Sequence, residues 1–304
     1  MLNRGCVYRE QVKPTNVGQT LVEYYTQRYQ HSGELDWRSR IAAGQVWING
    51  YVTTAETKLQ LGQTLTYHRE PWEEPDVPLA FEVLYEDVDL LLIAKPSGLP
   101  VLPGGGFLEH TLLRQLQLQY PEETPVPIHR LGRGTSGLML MARSPCAKSN
   151  LSQQMHDRKI CKTYRALVQN PSDAPAIPDR FTVTQAIGKV PHPILGYIYG
   201  ATATGKFAQS DCQVIQRNAQ TTLLEVVILT GRSHQIRIHL SFMGYPLVGD
   251  PLYAVGGVAQ FVEGAMAVPG DCGYWLHAYR LGFMHPRTGA LMDWFCPPLA
   301  PLAN

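Results

Sequence analysis

Four segments of this 304-residue chain carry residue types and spacings that could do chemistry. They are Lys95-Pro-Ser-Gly-Leu-Pro-Val101, His129-Arg-Leu-Gly-Arg-Gly-Thr-Ser-Gly137, Lys162-Thr-Tyr-Arg-Ala166 and Thr230-Gly-Arg-Ser-His-Gln-Ile-Arg-Ile-His239. The last continues through Gly244-Tyr-Pro-Leu-Val-Gly-Asp-Pro251. Singly, each has a plain structural reading. Lys95-Pro96-Ser97-Gly98 reads as a turn. Tyr164 shares strand parity with Ala166 and Val168, as a core aromatic would. His234 and His239 stand five apart, which does not bring two imidazoles onto one helix face as a metal-binding H-E-x-x-H does. Thr230-Gly231-Arg232 either caps the helix that follows or holds a phosphate on its free N–H groups. Gly132, Gly134 and Gly137 follow a proline-rich stretch rather than a strand, and Leu138 to Ala142 reads as a strand rather than a helix. This context argues against a dinucleotide loop.

The elements that must position these segments are legible from periodicity. Leu90 to Ala94, Leu138 to Ala142, Lys162 to Gln169 and Thr222 to Leu229 are apolar runs of strand length. Thr111 to Tyr120, Pro145 to Lys159 and residues 233 to 243 place apolar side chains at helical spacing, with Gly244 as a C-terminal cap. Strands and helices without regular alternation predict an α+β body with a largely antiparallel, mixed sheet from about residue 79 to 304. Residues 1 to 69 predict a separate small α/β module, with an amphipathic stretch through Leu21, Tyr24, Tyr25 and Arg28. Its hairpin turns at Asn49-Gly50, a pair that tolerates positive φ. Between them, residues 70 to 78 carry Pro71, Pro75 and Pro78 among acids and read as a linker.

Hydrophobic residues make up 44% of the chain and charged ones 17%, enough apolar material for a core and too little charge for disorder. With no run long enough to cross a membrane and no signal-peptide core, a soluble, cytoplasmic protein is expected; a monomer is expected as well. Six scattered cysteines without a C-x-x-C pair predict free thiols and no structural zinc. The net charge is +1, but it is segregated: residues 128 to 165 hold eight bases against Asp157 alone, namely Arg130, Arg133, Arg143, Lys148, Arg158, Lys159, Lys162 and Arg165. Such a run is either a solvated face or a phosphate-contacting surface.

Together and in this order, the four segments resemble the RluA-type family of RNA pseudouridine synthases. Its signature runs K-P-x-G, H-R-L-D-x-x-T-S-G, K-x-Y-x-A, T-G-R-x-H-Q-I-R-x-H and a G-D-x-x-Y tail. The tail matches Gly249-Asp250-Pro251-Leu252-Tyr253, and Leu276-His277-Ala278 with His285-Pro286 is similar to the family's C-terminal strands. Residues 17 to 68 resemble the S-four RNA-binding domain that many such enzymes carry in front. The resemblance implies a pseudouridine synthase fold and isomerisation of uridine to pseudouridine in ribosomal or transfer RNA, with no metal or small-molecule cofactor. It also implies base flipping, since the uracil must leave its stack to be reached. Tyr164 takes the place of the family's pocket aromatic, and Arg232 that of the arginine that aims the catalytic carboxylate. Expected RNA contacts are His129, Arg130, Arg133, Thr135, Lys148, Arg158, Lys159, Lys162 and Arg237.

One position departs from the signature. Gly132 stands where the family has its catalytic aspartate, and glycine has no side chain to serve as nucleophile or base. Losing a positioned acid or base costs ~10²–10⁴ in rate. The sequence therefore predicts slow turnover, and an increase when Gly132→Asp restores the group. The alternative is an impaired pseudoenzyme that acts as an RNA-binding protein or RNA chaperone.

Overall fold

The structure is a computed structural model that describes all residues except 1, 30–31, 172–174, 193–194, 260–269 and 304. The chain divides into two compact units, residues 1–75 with 191–198, and residues 76–190 with 199–304.

The first unit contains β1 (Cys6–Gln11), α1 (Leu21–Arg28), α2 (Glu34–Ala42), β2 (Val46–Ile48), β3 (Tyr51–Val52) and β4 (Thr64–Arg69). Its four strands pair in the order β1-β4-β2-β3. α1 starts at a capping box in which Thr20 and Glu23 satisfy each other's backbone N–H groups. The β2–β3 hairpin turns on Asn49 and Gly50, at φ 52° and 87°, the left-handed geometry that this pair accommodates. Trp37 is buried and lies against Tyr25 and Tyr67, so the unit has its own aromatic core.

The second unit runs β5 (Glu82–Glu86), β6 (Leu90–Lys95), α3 (Leu112–Gln119), β7 (Val126–Pro127), β8 (Ser136–Ala142), α4 (Pro145–His156) and β9 (Cys161–Gln169). It continues with β10 (Arg180–Val183), β11 (Ile187–His192), β12 (Gly196–Ala201), β13 (Ser210–Arg217), β14 (Thr221–Ile228), α5 (Gln235–Phe242), β15 (Leu276–Met284) and β16 (Leu291–Phe295), with residues 191–192 of β11 and 196–198 of β12 falling in the first unit. The main sheet has the order β10-β13-β14-β9-β15-β8-β6-β5, with β16 beside β15 and β7 beside β8. β8 and β15 run parallel, whereas the β13–β14, β14–β9, β9–β15, β8–β6 and β6–β5 pairs are antiparallel. The unit is thus α+β with a mixed, mostly antiparallel sheet.

Leu90 to Ile93 and Leu138 to Met141 are buried along their whole length, which explains why these strands read as continuous apolar runs rather than alternating ones. The close approach of β8 to β15 depends on Gly137, at φ 102°, because a Cβ there would stand 2.3 Å from the Ala278 carbonyl oxygen. Next to it, Ser136 bonds His277 Nδ1 at 2.8 Å, while His277 Nε2 donates to the Cys296 carbonyl at 2.8 Å. Those bonds fix β8, β15 and β16 relative to one another, and the loop that enters β8 is held accordingly.

Candidate active site

The Lys95-Pro-Ser-Gly turn does more than reverse the chain. The Lys95 ammonium is buried and donates to the carbonyls of Pro96 at 2.7 Å, Leu99 at 2.9 Å and Arg133 at 3.1 Å. Burial lowers its pKa to about 7, yet three carbonyl acceptors for three protons favour the charged form in this geometry. Gly98 N–H also donates to the Arg133 carbonyl, and Ser97 Oγ donates to the Gly134 carbonyl. This turn therefore pins the backbone of residues 133 and 134.

That backbone forms a slot, and Tyr274 fills it. A Cβ on Gly132 would stand 2.7 Å from the Tyr274 hydroxyl oxygen, and one on Gly134 would stand 2.9 Å from the ring atoms Cε1 and Cζ. The Tyr274 hydroxyl reaches Thr135 Oγ1 at 3.3 Å, and the tyrosine is buried. Gly132, beside the hydroxyl end of the slot, is exposed. The approach of residue 273 to the 247–250 turn is equally close, since a Cβ on Gly249 would stand 2.3 Å from the Gly273 carbonyl oxygen. A cleft of about 750 Å³ is lined in part by Lys95, Gly134, Ser136, Tyr274 and His277.

The Thr230-Gly-Arg-Ser-His-Gln-Ile-Arg-Ile-His239 segment divides into structural and polar-site positions. Gln235 is buried; its amide nitrogen donates to the Gln209 carbonyl and Ser210 Oγ, and its oxygen accepts from Thr230 Oγ1 and the Arg232 N–H. His239, also buried, bonds Ser210 Oγ through Nδ1 and the Gln185 carbonyl through Nε2. These two side chains anchor α5 against the start of β13. His234 caps α5 at φ 54°, and its Nδ1 lies 2.8 Å from the Tyr253 hydroxyl. That hydroxyl donates its one proton to the Tyr199 carbonyl at 2.7 Å, so His234 Nδ1 must be the donor in their pair. Burial, then the nearby Arg237 charge, lower the His234 pKa to about 3, consistent with a neutral ring.

Arg237 is the residue this helix delivers to the slot. Its guanidinium is held by Asp250 through two bonds of 2.7 Å, with both side chains almost wholly buried. The same guanidinium lies 4.2 Å from the Tyr274 ring centroid and 5.0 Å from that of Tyr253. Burial is the largest influence on Arg237 and lowers its pKa, but the Asp250 bonds and charge more than offset it and leave the value raised. Burial likewise pushes the Tyr274 phenol up, against the opposing Arg237 charge, so the hydroxyl is held protonated. Asp250 in turn accepts from the N–H groups of Leu252 and Tyr253, which satisfies a carboxylate otherwise costly to bury.

The structure brings together only part of the expected site. Arg232 does not meet Gly132: its Nε donates to the Phe207 carbonyl at 3.0 Å, and it lines a separate recess with Lys206 and Ser233. Arg237, expected at the RNA backbone, is the arginine next to the slot and is enclosed. His129 is turned inward: its Nε2 accepts the Leu140 N–H at 3.2 Å, and burial lowers its pKa to about 4. Thr135 and Lys162 are buried as well. The exposed members of the expected RNA set are Arg130, Lys148, Arg158 and Lys159. Arg133 is half-buried, with its Nε on the Gly98 carbonyl and its guanidinium over Phe107. Tyr164 is buried in the core between β14 and β15, and burial pushes its phenol up to about 12. Sequence reasoning missed Tyr274 altogether and left Asp250 in the tail pattern. The available signal was the paired Gly132 and Gly134, two vacancies on one loop that a bulky side chain could enter.

Residues 89–242 match the RNA pseudouridylate synthase family. The chain is 51% identical, over 88% of its length and 90% of the relative's, to an uncharacterised RNA pseudouridine synthase of Synechocystis. It is 40% identical to RNA pseudouridine synthase 5 of Arabidopsis thaliana, over 92% and 89% of the two chains. Against ribosomal large subunit pseudouridine synthase D of Vibrio parahaemolyticus it is 31% identical over 94% and 89%. The solved structure of human RNA pseudouridylate synthase domain containing 1 shares its fold, with a TM-score of 0.56 at 22% identity over 74% and 86% of the two chains. On these likenesses, the chain belongs to the RluA-type family of RNA pseudouridine synthases, an isomerase family.

Proposed function

We propose that the protein isomerises uridine to pseudouridine in ribosomal or transfer RNA, with its polar centre rebuilt around Gly132. The observation that carries this reading is the enclosed Asp250–Arg237–Tyr274 assembly, which puts a hydroxyl where the side chain of residue 132 would otherwise stand. A chain that had lost the reaction would have no need of a buried, fully partnered guanidinium at this point, since burying an ion pair gives little net stability.

In this reading the target nucleotide is flipped and approaches the slot from the exposed Gly132 side. Tyr164 belongs to the base pocket, and the exposed Arg130, Lys148, Arg158 and Lys159 position the RNA backbone. Residues 1 to 69 serve as an S-four-like RNA-binding module, joined by residues 70 to 78 to the catalytic domain of residues 79 to 304. The protein works as a cytoplasmic monomer without a cofactor.

The test is release of tritium from C5-labelled uridine in total RNA prepared from cells that lack the gene, with ribosomal and transfer RNA assayed separately. Release above the protein-free control is expected. RNA binding without release would instead make the chain an RNA-binding pseudoenzyme.

A further inference from the structure

We propose that Tyr274 is a catalytic residue whose hydroxyl carries the proton of the isomerisation, in place of the acidic side chain missing at position 132. The inference rests on the function proposed above. Its basis is the slot: Gly132 and Gly134 both lack the Cβ atoms that would stand 2.7 and 2.9 Å from the Tyr274 hydroxyl and ring. A side chain at either position and the tyrosine in this pose exclude one another. The segment thus exchanges a residue-132 side chain for a phenol delivered from the chain just before β15.

The surroundings suit a group that ionises transiently. At rest the phenol is protonated, because burial disfavours its anion. Among the described residues, the charged or titratable groups acting on it include Arg237, Asp250, Cys272 and Tyr253, and Thr135 Oγ1 lies within hydrogen-bonding reach. The Arg237 guanidinium over the ring would stabilise a phenolate as it formed, and Asp250 keeps that guanidinium in place.

The isomerisation needs one proton to leave C5 and one to reach N1. As the N1–C1′ bond breaks, its electron pair goes to the uracil and the Tyr274 O–H proton moves to N1. A phenolate is left beside the electron-poor C1′, where it supplies the negative charge that a carboxylate would have provided. The base then turns, which brings C5 to the place N1 occupied. Ring π electrons form the C5–C1′ bond, the phenolate oxygen takes the C5 proton, and the phenol is restored. Since N1 before the turn and C5 after it occupy the same place over the sugar, one fixed hydroxyl can meet both. Atoms and charge balance with no other reactant.

Tyr274→Phe keeps the ring in its slot and removes only the hydroxyl. Expected is a loss of about 10²-fold or more in tritium release from C5-labelled uridine in total RNA, with RNA affinity unchanged. A second variant replaces Tyr274 by fluorotyrosine, whose phenol is more acidic. It should move the alkaline limb of the log kcat–pH profile to lower pH, which a space-filling role would not do. Tyr274→Phe turnover within about threefold of the unaltered chain, or a profile unmoved by fluorotyrosine, overturns this inference and leaves the proposed function standing. Absence of release by the unaltered chain overturns both.

Discussion

The Tyr274 hydroxyl lies 2.7 Å from the point where the first side-chain carbon of residue 132 would stand. Position 132 is therefore not an open vacancy awaiting a carboxylate, since its volume is already used. Its φ lies outside the left-handed region, so crowding rather than backbone strain determines what the position tolerates.

This reverses the effect expected of Gly132→Asp. The substitution must displace the tyrosine hydroxyl and should destabilise the second unit by about 1–3 kcal/mol, as overpacking does. Turnover should fall rather than rise. Gly134→Ala should be costly for the same reason, with ring atoms at 2.9 Å and the Cys272 Cα at 3.3 Å from the new methyl. Thermal melts with tritium release check both, and a stable, faster Gly132→Asp protein would show that Tyr274 leaves its slot freely.

Arg237 and Arg232 should separate cleanly. Asp250→Ala leaves the buried Arg237 guanidinium without its carboxylate and should cost about 3–5 kcal/mol. Arg232→Ala loses one bond to a backbone carbonyl and should cost under about 1 kcal/mol. Urea unfolding of the two variants measures the difference; equal losses would contradict the assignment of Arg237 to the polar centre.

Stability should decline in mild acid. His129 is held neutral, with a pKa of about 4, first by burial and then by the Lys162 charge. The unfolded ring, near 6.5, binds a proton that the native one refuses. Between those values the unfolded state carries more protons, so stability rises with pH and is progressively lost as pH falls from about 6.5 towards 4. At pH 5 the His129 contribution to this loss should be on the order of 2 kcal/mol. His129→Gln, whose amide oxygen can still accept the Leu140 N–H, should flatten the dependence. An unchanged slope in urea unfolding from pH 7.5 to 5 would count against the neutral-ring geometry.

RNA affinity should depend steeply on salt through the exposed bases. Arg158 and Lys159 are exposed beyond the end of α4, and Lys159 stands 3.7 Å from Asp157. Replacing both by glutamine should weaken binding to all RNA sequences alike and reduce the slope of log K against log salt by about 1–2. An unaltered slope would move the RNA path to another face.

The sequence by itself determined the elements and the family. β6, β8, β9 and β14 follow from apolar runs of strand length, α3 and α4 from helical spacing, and the Asn49-Gly50 hairpin from residues that accept positive φ. These are local consequences of backbone sterics and side-chain burial, so they are legible without knowing what packs against what. The order of the four motifs marked the chain's kinship, and Gly132 its departure. What only the tertiary structure decided is which side chains meet. Arg232 and Arg237 lie on one motif, five residues apart, and nothing in their spacing says which turns towards Gly132. The choice depends on Asp250, thirteen residues further on, which binds Arg237 in the interior. Tyr274 stands 142 positions from Gly132 in sequence, and only the parallel pairing of β8 with β15, allowed by the missing Cβ of Gly137, brings the chain before β15 to that loop. A vacancy is visible in sequence as a glycine, but what fills it is set by packing between distant segments, which leaves no local periodicity to read.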